Sequence, residues 1–347
     1  MHTGTMIETV SQLRRYLPLT DRESGDIERV ARVYPWRITP YYAGLMDPES
    51  PACPIRRQAV PDPAELEPFG ASDPLGEEGN SPVPGVIRVY PDRIAVIVTS
   101  RCPVYCRHCL RKRFCRDDSG DLRGGPLERV LAYIRGDSSI RDILLTGGDP
   151  LMLSNARLES LIRVLRAIPH VEIIRVGTRA PCTWPGRVTG ALADMLASFH
   201  PVWVSTQFNH PREITPEAER AVDTLLRRGI PVNNQSVLLR GVNDSVAVFL
   251  ELVRKLVRIR VRPYYVYQAQ ALAGTGHFVT TIEEGLAIMR GLRGHTTGFA
   301  VPQYVLDTPC GKIPLNPQYL RGRQGDFVEM ESWSGTVWRE WNPAGKK

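Results

Sequence analysis

Three cysteines stand close together in the chain, and their spacing predicts an iron–sulfur cluster. Cys102, Cys106 and Cys109 form a C-x3-C-x2-C pattern directly after an apolar run at 94–98. An ordinary [4Fe–4S] cluster takes four thiolates, so three thiolates leave one iron without a protein ligand. Because such an iron can bind a substrate or a cofactor, the pattern indicates chemistry rather than electron storage.

Zinc is the alternative that these cysteines leave open. His108 or Cys115 could supply a fourth ligand to a zinc ion. A structural zinc site usually has a second pair of ligands about 12 to 20 residues further along the chain. The next cysteine after Cys115 is Cys182, which stands alone. The pattern therefore favours an iron–sulfur cluster.

The composition is that of a globular protein with a sizeable core. The chain has 347 residues, of which 42% are hydrophobic, and its seven cysteines are an odd number. Odd, grouped cysteines favour the cytoplasm and a metal over disulfides. No apolar run reaches the about 18 residues of a membrane span. The N-terminus lacks a basic flank followed by an apolar core, so we expect no secretion signal.

The charge is unevenly distributed along the chain. The formal net charge is +7, and much of it lies in the run RHCLRKRFCR at 107–116. Such a run is typical of nucleic-acid binding, or of small-anion binding beside a cluster. The remaining basic residues are spread among acidic ones, which makes nucleic acid the less favoured partner.

The region after about 93 alternates between strand and helix patterns, which predicts an α/β fold. Six successive strand–helix units imply a parallel sheet, and right-handed crossovers curl it into a partial (β/α)6-type barrel. Functional sites in such folds lie at the carboxyl ends of the strands, and the cysteines follow the first strand. From apolar runs and 3.6-residue periodicity, the predicted strands are 94–99, 141–146, 171–176, 202–207, 231–239 and 262–268, and the predicted helices are 126–135, 155–167, 190–199, 216–228, 245–259 and 282–292.

Two segments that flank this region differ from it, so we predict three parts. Residues 1–88 form an N-terminal segment with helical patterns, followed by a Pro-, Glu- and Gly-rich stretch at 48–84 that predicts an extended, wrapping course. Residues 89–298 form the partial barrel. Residues 299–347 form a C-terminal segment, in which alternation at 327–331 and a turn at 334–335 predict a β-hairpin tail.

The cysteine spacing resembles the signature of radical S-adenosylmethionine (SAM) enzymes, and further motifs resemble the lysine 2,3-aminomutase family. This resemblance implies a radical SAM barrel, a [4Fe–4S] cluster held by the three cysteines, SAM, and pyridoxal 5′-phosphate (PLP). It runs from about 90 to 319 and is carried by YPDR at 90–93, YCRHC at 105–109, LTGGD at 145–149, FNHP at 208–211, NQSVLLRGVND at 234–244, RPYY at 262–265, GHF at 276–278, LRGHTTG at 292–298 and KIP at 312–314.

Four residues are expected to hold SAM. Gly147 and Gly148 end a strand, where two glycines let the backbone approach a ligand closely. With Asp149, the exposed strand end would hold the amino group of SAM. The resemblance also implicates Gln235.

Three further residues are expected to hold PLP. The resemblance implies Lys312 as the catalytic lysine that links covalently to the cofactor, with Arg93 and Tyr90 at its phosphate and ring. A guanidinium suits phosphate because its donors form a two-pronged fork. The family usually has a run of several glycines before the lysine, whereas this chain has PCG at 309–311, two residues shorter.

The substrate residues are where the chain departs from the family pattern. Arg111 resembles the arginine that binds the substrate α-carboxylate. Lysine enzymes of the family hold the distal ammonium with two aspartates; Asp307 matches one, but Gln270 stands at the other. A glutamine oxygen can accept from a guanidinium, so arginine suits the site as well as lysine does. Asp307 would repel a glutamate side chain. Gln207 stands where the family commonly has histidine.

These observations predict an isomerase, a 2,3-aminomutase that moves the amino group of a cationic L-α-amino acid, arginine or lysine, to the β-carbon. The alternative is a radical SAM enzyme that acts on RNA or on a protein lysine, which the basic run at 107–116 suggests. We expect a small-molecule amino acid substrate, an electron donor of the flavodoxin or ferredoxin type, and a homo-oligomer.

Overall fold

A nine-stranded sheet forms the centre of the computed structural model, which describes residues 5–116 and 120–342. Its strands follow one another in chain order from β1 to β9. Strands β2 to β8 are parallel, whereas β1 and β9 are antiparallel to their neighbours at the two edges. The strands are Val86–Ile87 (β1), Arg93–Thr99 (β2), Asp142–Gly147 (β3), Ile173–Gly177 (β4), Val202–Thr206 (β5), Val232–Leu238 (β6), Arg262–Gln268 (β7), Gln303–Thr308 (β8) and Gly311–Pro314 (β9).

Helices cover one face of this sheet and leave the other to enclose a cavity. In β2, β3, β4 and β6 fully buried residues alternate with partly exposed ones. Successive side chains of a strand point to opposite faces, so the alternation separates a helix-covered face from a polar interior. The helices are Val10–Leu13 (α1), Asp21–Ala31 (α2), Pro40–Ala43 (α3), Pro54–Ala59 (α4), Gly124–Gly136 (α5), Asn155–Arg166 (α6), Ala180–Thr183 (α7), Gly190–Ala197 (α8), Pro216–Leu226 (α9), Val246–Arg258 (α10) and Ile282–Leu292 (α11).

The predicted α/β partial barrel is confirmed. All six predicted strands are present as β2 to β7, each within about two residues of its expected ends, and the six predicted helices are α5, α6, α8, α9, α10 and α11. Serine and threonine side chains cap the amino ends of most of them, as Ser154 does for α6. The longest described helices, α5 and α10, have 13 residues, which is short of the about 20 that cross a bilayer. Within the described part of the chain, no helix qualifies as a membrane span.

Strands β8 and β9 were not predicted, and they continue the main sheet. Strand β9 contains a glycine and a proline, which mask a strand pattern, and β8 has only a short apolar run. In the structure β8 adds a seventh parallel strand, and β9 turns back along it.

The N-terminal segment wraps the barrel, as expected from its composition. Helix α1 is shorter than the helical pattern at 5–16 within which it lies, α2 begins before the helical pattern at 27–34 and ends within it, and α3 and α4 were not predicted. Backbone hydrogen bonds join it to the cysteine loop, from Arg107 N to Gln58 O at 2.8 Å, and to the chain after β7, from Ala71 N to Ala271 O at 2.9 Å.

The C-terminal tail is a separate three-stranded antiparallel sheet. Its strands are Leu320–Gln324 (β10), Phe327–Glu331 (β11) and Val337–Trp341 (β12). The predicted hairpin is the β11–β12 pair. Strand β10 was missed because its sequence, LRGRQ, lacks apolar alternation.

Candidate active site

A cavity of about 830 Å³ lies along the inner face of the sheet, from the first residues of strands such as β2 and β7 to the carboxyl ends of the parallel strands. Its volume lies in the range of small-molecule and cofactor sites. Every site residue predicted from the sequence lines it: Tyr90, Arg93, Cys102, Cys106, Cys109, Arg111, Gly147, Gly148, Asp149, Gln235, Gln270, Asp307 and Lys312. The fold therefore brings together residues that lie more than 200 positions apart.

The cysteine loop follows β2 and forms one wall of this cavity. Cys102, Cys106 and Cys109 take part in no disulfide, and burial raises the pKa of the Cys102 and Cys106 thiols. Among the described side chains, no three His, Cys, Asp or Glu residues are placed to share one metal ion. The alternative ligand Cys115 has a side chain outside the described ones.

The glycine pair after β3 packs against the start of the cysteine loop. A Cβ atom at Gly147 would overlap the carbonyl oxygen of Thr99, and one at Gly148 would overlap that of Arg101. The Gly148 N–H also donates to Thr99 O at 2.6 Å. The two glycines thus allow the end of β3 to lie directly beside the segment that carries the cysteines. This packing role is separate from their expected role in the approach of a ligand.

Asp149 ties neighbouring strand ends together from a buried position. Its Oδ1 accepts from Thr178 Oγ1 at 2.6 Å and from Leu151 N at 2.9 Å, and its Oδ2 accepts from Arg179 N at 2.9 Å. Burial raises the pKa of Asp149, and these hydrogen bonds oppose the effect. The expected contact of Asp149 with SAM stays a prediction. Its hydrogen bonds to the residues that follow β3 and β4 are observed.

Lys312 and Asp307 face each other across the β8–β9 pair. They are partners in the strand register, and Lys312 Nζ lies 3.5 Å from an Asp307 carboxylate oxygen. The segment before Lys312 is a tight turn, closed by a hydrogen bond from Thr308 Oγ1 to Gly311 O at 2.7 Å. The chain there therefore forms a hairpin rather than an open loop.

Aromatic and cationic groups surround Lys312. Tyr90 Oη accepts from Lys312 N at 2.7 Å, and the Arg93 guanidinium lies 3.7 Å from the centre of the Tyr90 ring. Lys312 Nζ is 5.8 Å from the centre of the Tyr267 ring. The sequence has only five lysines, and Lys312 is the one described lysine that lines the cavity. The small number of lysines is thus a second sequence signal, besides the motifs, for the importance of Lys312.

Two glutamines line the same cavity. Gln235 Oε1 accepts from Tyr267 Oη at 3.3 Å. Gln270 Nε2 donates to the backbone oxygen of Asp307 at 2.5 Å, and Gln270 Oε1 is buried without a hydrogen-bond partner among the described residues. Gln270 thus lies beside the backbone of Asp307 and keeps one free acceptor. Gln207, which had no explanation from sequence, lies 3.1 Å from His108 Nε2 of the cysteine loop.

The basic run at 107–116 is not a solvated patch, because its described cations pair with acids of the N-terminal segment. Glu65 binds Arg107 and Lys112 at 2.5 and 2.6 Å. Glu77 binds Arg111 at 2.7 Å and Arg113 at 3.1 Å. Among the described residues of the run, these pairs weaken the case for a nucleic-acid or macromolecular substrate. Sequence patterns gave no indication of either glutamate's role, because 30 or more residues separate each one from its partners.

Arg111 keeps a place at the cavity wall while it binds Glu77. Its Nε and Nη2 groups donate to the Glu77 carboxylate, and its Nη1 group lies 3.3 Å from Thr146 Oγ1 at the end of β3. The guanidinium is thereby oriented toward the strand ends where the other predicted residues converge.

Comparison with known proteins agrees with this geometry. Residues 96–253 match the family model of the radical SAM superfamily, and residues 289–344 match that of lysine-2,3-aminomutase. A radical SAM protein binds a [4Fe–4S] cluster and SAM. The matched regions contain the cysteine loop and Lys312 respectively.

Two similar relatives cover nearly the whole chain. The L-lysine 2,3-aminomutase of Clostridium subterminale is 46% identical over 95% of this chain and 80% of that protein. The glutamate 2,3-aminomutase of Clostridioides difficile is 41% identical over 95% of this chain and 79% of that protein. Similarity thus extends beyond the motif-bearing region into the N-terminal segment that wraps the cavity. With its cysteine loop, its paired Asp307 and Lys312 and this degree of identity, the chain belongs to the lysine 2,3-aminomutase family of radical SAM isomerases.

Proposed function

We propose that this aminomutase uses PLP and converts a cationic L-α-amino acid, arginine or lysine, into its β-amino acid by a 1,2 shift of the amino group. The observation that carries the proposal is the group formed by Asp307, Gln270 and Lys312. The Asp307 carboxylate lies 3.5 Å from the amine of Lys312, the only described lysine that lines the cavity. Gln270 donates to the Asp307 backbone, and its amide oxygen has no hydrogen-bond partner among the described residues. An anion and a neutral acceptor together suit a guanidinium or an ammonium group.

The cavity wall fits the two radical cofactors. Together, a reduced cluster and SAM supply a carbon-centred radical that removes a hydrogen atom from the substrate. Cys102, Cys106 and Cys109 are proposed to hold the cluster, because they are three undisulfided cysteines on one wall of the cavity. Gly147 and Gly148 at the end of β3 and the amide of Gln235, which line the same cavity, are proposed to supply backbone and side-chain groups for SAM.

The opposite end of the cavity fits PLP. When bound, PLP holds the substrate nitrogen covalently so that it can migrate between adjacent carbons. The donor set is suitable because Lys312 is the reactive amine, Tyr90 offers a ring face, and Arg93, stacked 3.7 Å from that ring, offers a fork for phosphate. The Tyr90 hydroxyl fixes the backbone of Lys312, so cofactor ring and lysine are positioned by the same residue.

The substrate is proposed to lie between Arg111 and Asp307. Arg111 would bind the α-carboxylate through a charge-assisted pair. Asp307 now faces Lys312 at 3.5 Å, and engagement of Lys312 by PLP would release this carboxylate for the distal cation of the substrate. Gln270 Oε1 would accept one further N–H, which a guanidinium supplies more readily than an ammonium, because its donors span a wider fork. A glutamate substrate would meet repulsion from Asp307.

The substrate experiment measures products directly. Anaerobically reconstituted protein is incubated with SAM, PLP and dithionite, and with arginine, lysine, ornithine, glutamine or glutamate in turn, and β-amino products are identified by mass spectrometry. We expect product from arginine or lysine. The variant Gln270→Asp adds a second carboxylate and should raise the kcat/KM for lysine relative to arginine. Inertness toward both amino acids would refute the proposed role of Asp307.

The PLP experiment uses absorbance. Lys312→Ala should abolish the band of covalently bound PLP while leaving the iron content unchanged. Lys255→Ala is the matched control, because Lys255 pairs with Glu251 on α10 away from the cavity, and it should keep the band. A band that persists in Lys312→Ala would show that another amine binds the cofactor.

Three further proposals concern the setting of the reaction. A one-electron donor of flavodoxin or ferredoxin type is proposed because cluster reduction requires one. The cytoplasm is proposed because the six described cysteines form no disulfide. Self-association is proposed because the C-terminal sheet exposes apolar side chains that include Trp333, Trp338 and Trp341.

A further inference from the structure

A buried arginine at the edge of the cavity contacts one of the cysteines. Arg179 follows β4, and its Nη1 group donates to Cys106 Sγ at 2.8 Å. The side chain is only 8% exposed. Nothing in the sequence motifs singled out this residue, although it follows a parallel strand at the same end of the sheet as the cysteines.

Other contacts fix the orientation of the Arg179 guanidinium. Its Nε donates to the backbone oxygen of Gln207 at 3.2 Å. Its Nη2 donates to Gln58 Oε1 at 2.6 Å and to Glu213 Oε1 at 2.7 Å. With Nε and Nη2 held by these partners, the Nη1 group is directed at the sulfur of Cys106.

Glu213 is the counter-charge of Arg179 and is itself fully buried. Its Oε1 also accepts from Tyr42 Oη at 2.6 Å, and its Oε2 accepts from the backbone N–H of Asn209 at 2.5 Å. The contacts therefore run in the order cysteine sulfur, guanidinium, carboxylate. In a dry interior such charges act on one another strongly, because little water screens them.

The chemistry of iron–sulfur clusters gives this order a consequence. Reduction potentials depend on net charge and on hydrogen bonds to the sulfur ligands. A cation that donates to a ligating thiolate stabilises the more negative, reduced cluster, and a carboxylate behind it opposes that effect. Groups around the ligands tune a metal centre in this way without binding the metal.

We infer that Arg179 is a positioning residue that raises the reduction potential of the cluster through Cys106, and that Glu213 moderates its effect. The redox reaction concerned is the one-electron reduction of the oxidised cluster, in which no bond forms or breaks. The electron comes from the flavodoxin- or ferredoxin-type donor, or from dithionite in the assay. The inference rests on the proposed assignment of Cys106 as a cluster ligand.

The test is a redox titration of the full, cluster-loaded chain, with reduced cluster measured by electron paramagnetic resonance and without SAM or substrate. Arg179→Gln should lower the ratio of reduced to oxidised cluster at a fixed potential by about tenfold, which equals 59 mV for a one-electron couple. Arg179→Lys keeps the charge and should shift the ratio less. Glu213→Gln should shift it in the opposite direction.

A matched control separates this effect from simple loosening of the fold. Arg56 is also a buried arginine, but it pairs with Glu23 at 2.6 Å rather than with a cysteine, so Arg56→Gln should leave the potential unchanged. An unchanged potential in Arg179→Gln, or shifts of the same sign in Arg179→Gln and Glu213→Gln, would overturn the inference.

Two further measurements keep the outcome decisive. If the Arg179 variants do not retain iron, a downward shift in Glu213→Gln alone would overturn the inference and an upward shift would support it. If Cys106→Ser keeps the wild-type iron content and spectrum, the ligand assignment in the proposed function fails instead. The two failures are therefore distinguishable.

Discussion

Glu65 joins the N-terminal segment to the cysteine loop, and its removal should destabilise the protein strongly. The Glu65 carboxylate accepts from Arg107 Nε at 2.8 Å and from Lys112 Nζ at 2.6 Å. The three side chains are 0%, 1% and 4% exposed, respectively. Glu65→Gln would leave two buried cations beside one uncharged amide.

The magnitude follows from the asymmetry of buried ion pairs. A buried pair adds little net stability, but removal of one partner costs about 3–5 kcal/mol, because the remaining charge stays desolvated. Glutamine keeps one acceptor oxygen of the same shape, so we expect the lower end, a loss of about 3 kcal/mol in the free energy of unfolding. Domains are stable by about 5–15 kcal/mol, so the loss is a large fraction.

The assay is anaerobic urea unfolding of the cluster-loaded chain, followed by fluorescence of its six tryptophans. Glu159→Gln is the matched control, since Glu159 pairs with Arg163 on the exposed face of α6 and such helical pairs contribute about 0.5 kcal/mol or less. Lys112→Met should cost less in the Glu65→Gln background than in the wild type, because it removes a cation that has lost its partner.

Two results would refute this reasoning. The first is a Glu65→Gln variant as stable as Glu159→Gln, which would mean that water or a shifted side chain solvates the cations. The second is an equal cost of Lys112→Met in both backgrounds, which would mean that Glu65 and Lys112 are not coupled.

Two other predictions follow from the same contacts. Burial alone would raise the pKa of Glu65, but Arg107 and Lys112 outweigh burial and hold that pKa below the ordinary 4.5. The stabilisation by Glu65 is therefore present above about pH 4.5 and is lost as the pH falls through the lowered pKa. When unfolding is measured against pH, the stability of the wild type should fall more steeply in acid than that of Glu65→Gln. Gly311 has a φ of +110°, and a Cβ there would lie 2.9 Å from Tyr90 Oη. Gly311→Ala should therefore lower the free energy of unfolding by about 1–3 kcal/mol and weaken PLP binding, measured by absorbance. Gly322 has open space around it, so the control Gly322→Ala should change neither quantity.

The barrel could be predicted because each of its units carries a local signal. The apolar face of α6, for example, repeats at the helical period and begins at a capping serine, and β7 begins and ends at the predicted residues. Such signals depend only on neighbours along the chain. Strand β8 lacked one, because its stability comes from pairing with β7 rather than from its own short apolar run. The division of the chain at residues 88 and 298 stays a prediction.

The sequence predicted which residues line the candidate site, but it did not predict the contacts that these residues make. Motifs placed Asp307 and Lys312 in the cavity, and parallel strands carried Gly147 and Gln235 to the same end of the sheet. Their partners are fixed by packing between distant segments. Nothing local to Arg179 indicates that it would reach Cys106, because the contact depends on how the β4 end lies beside the cysteine loop.

The basic run shows why charge along a chain is a weak guide to function. As a sequence, residues 107–116 allow a surface for nucleic acid or for a small anion. In the fold, their four described Arg and Lys side chains each pair with Glu65 or Glu77, which belong to the segment that wraps the barrel. The wrapping segment therefore does more than cover apolar surface. Because it supplies the anions that permit cations to be buried beside the cysteines, we expect that the cysteine loop cannot hold its geometry in a chain that lacks residues 62–78.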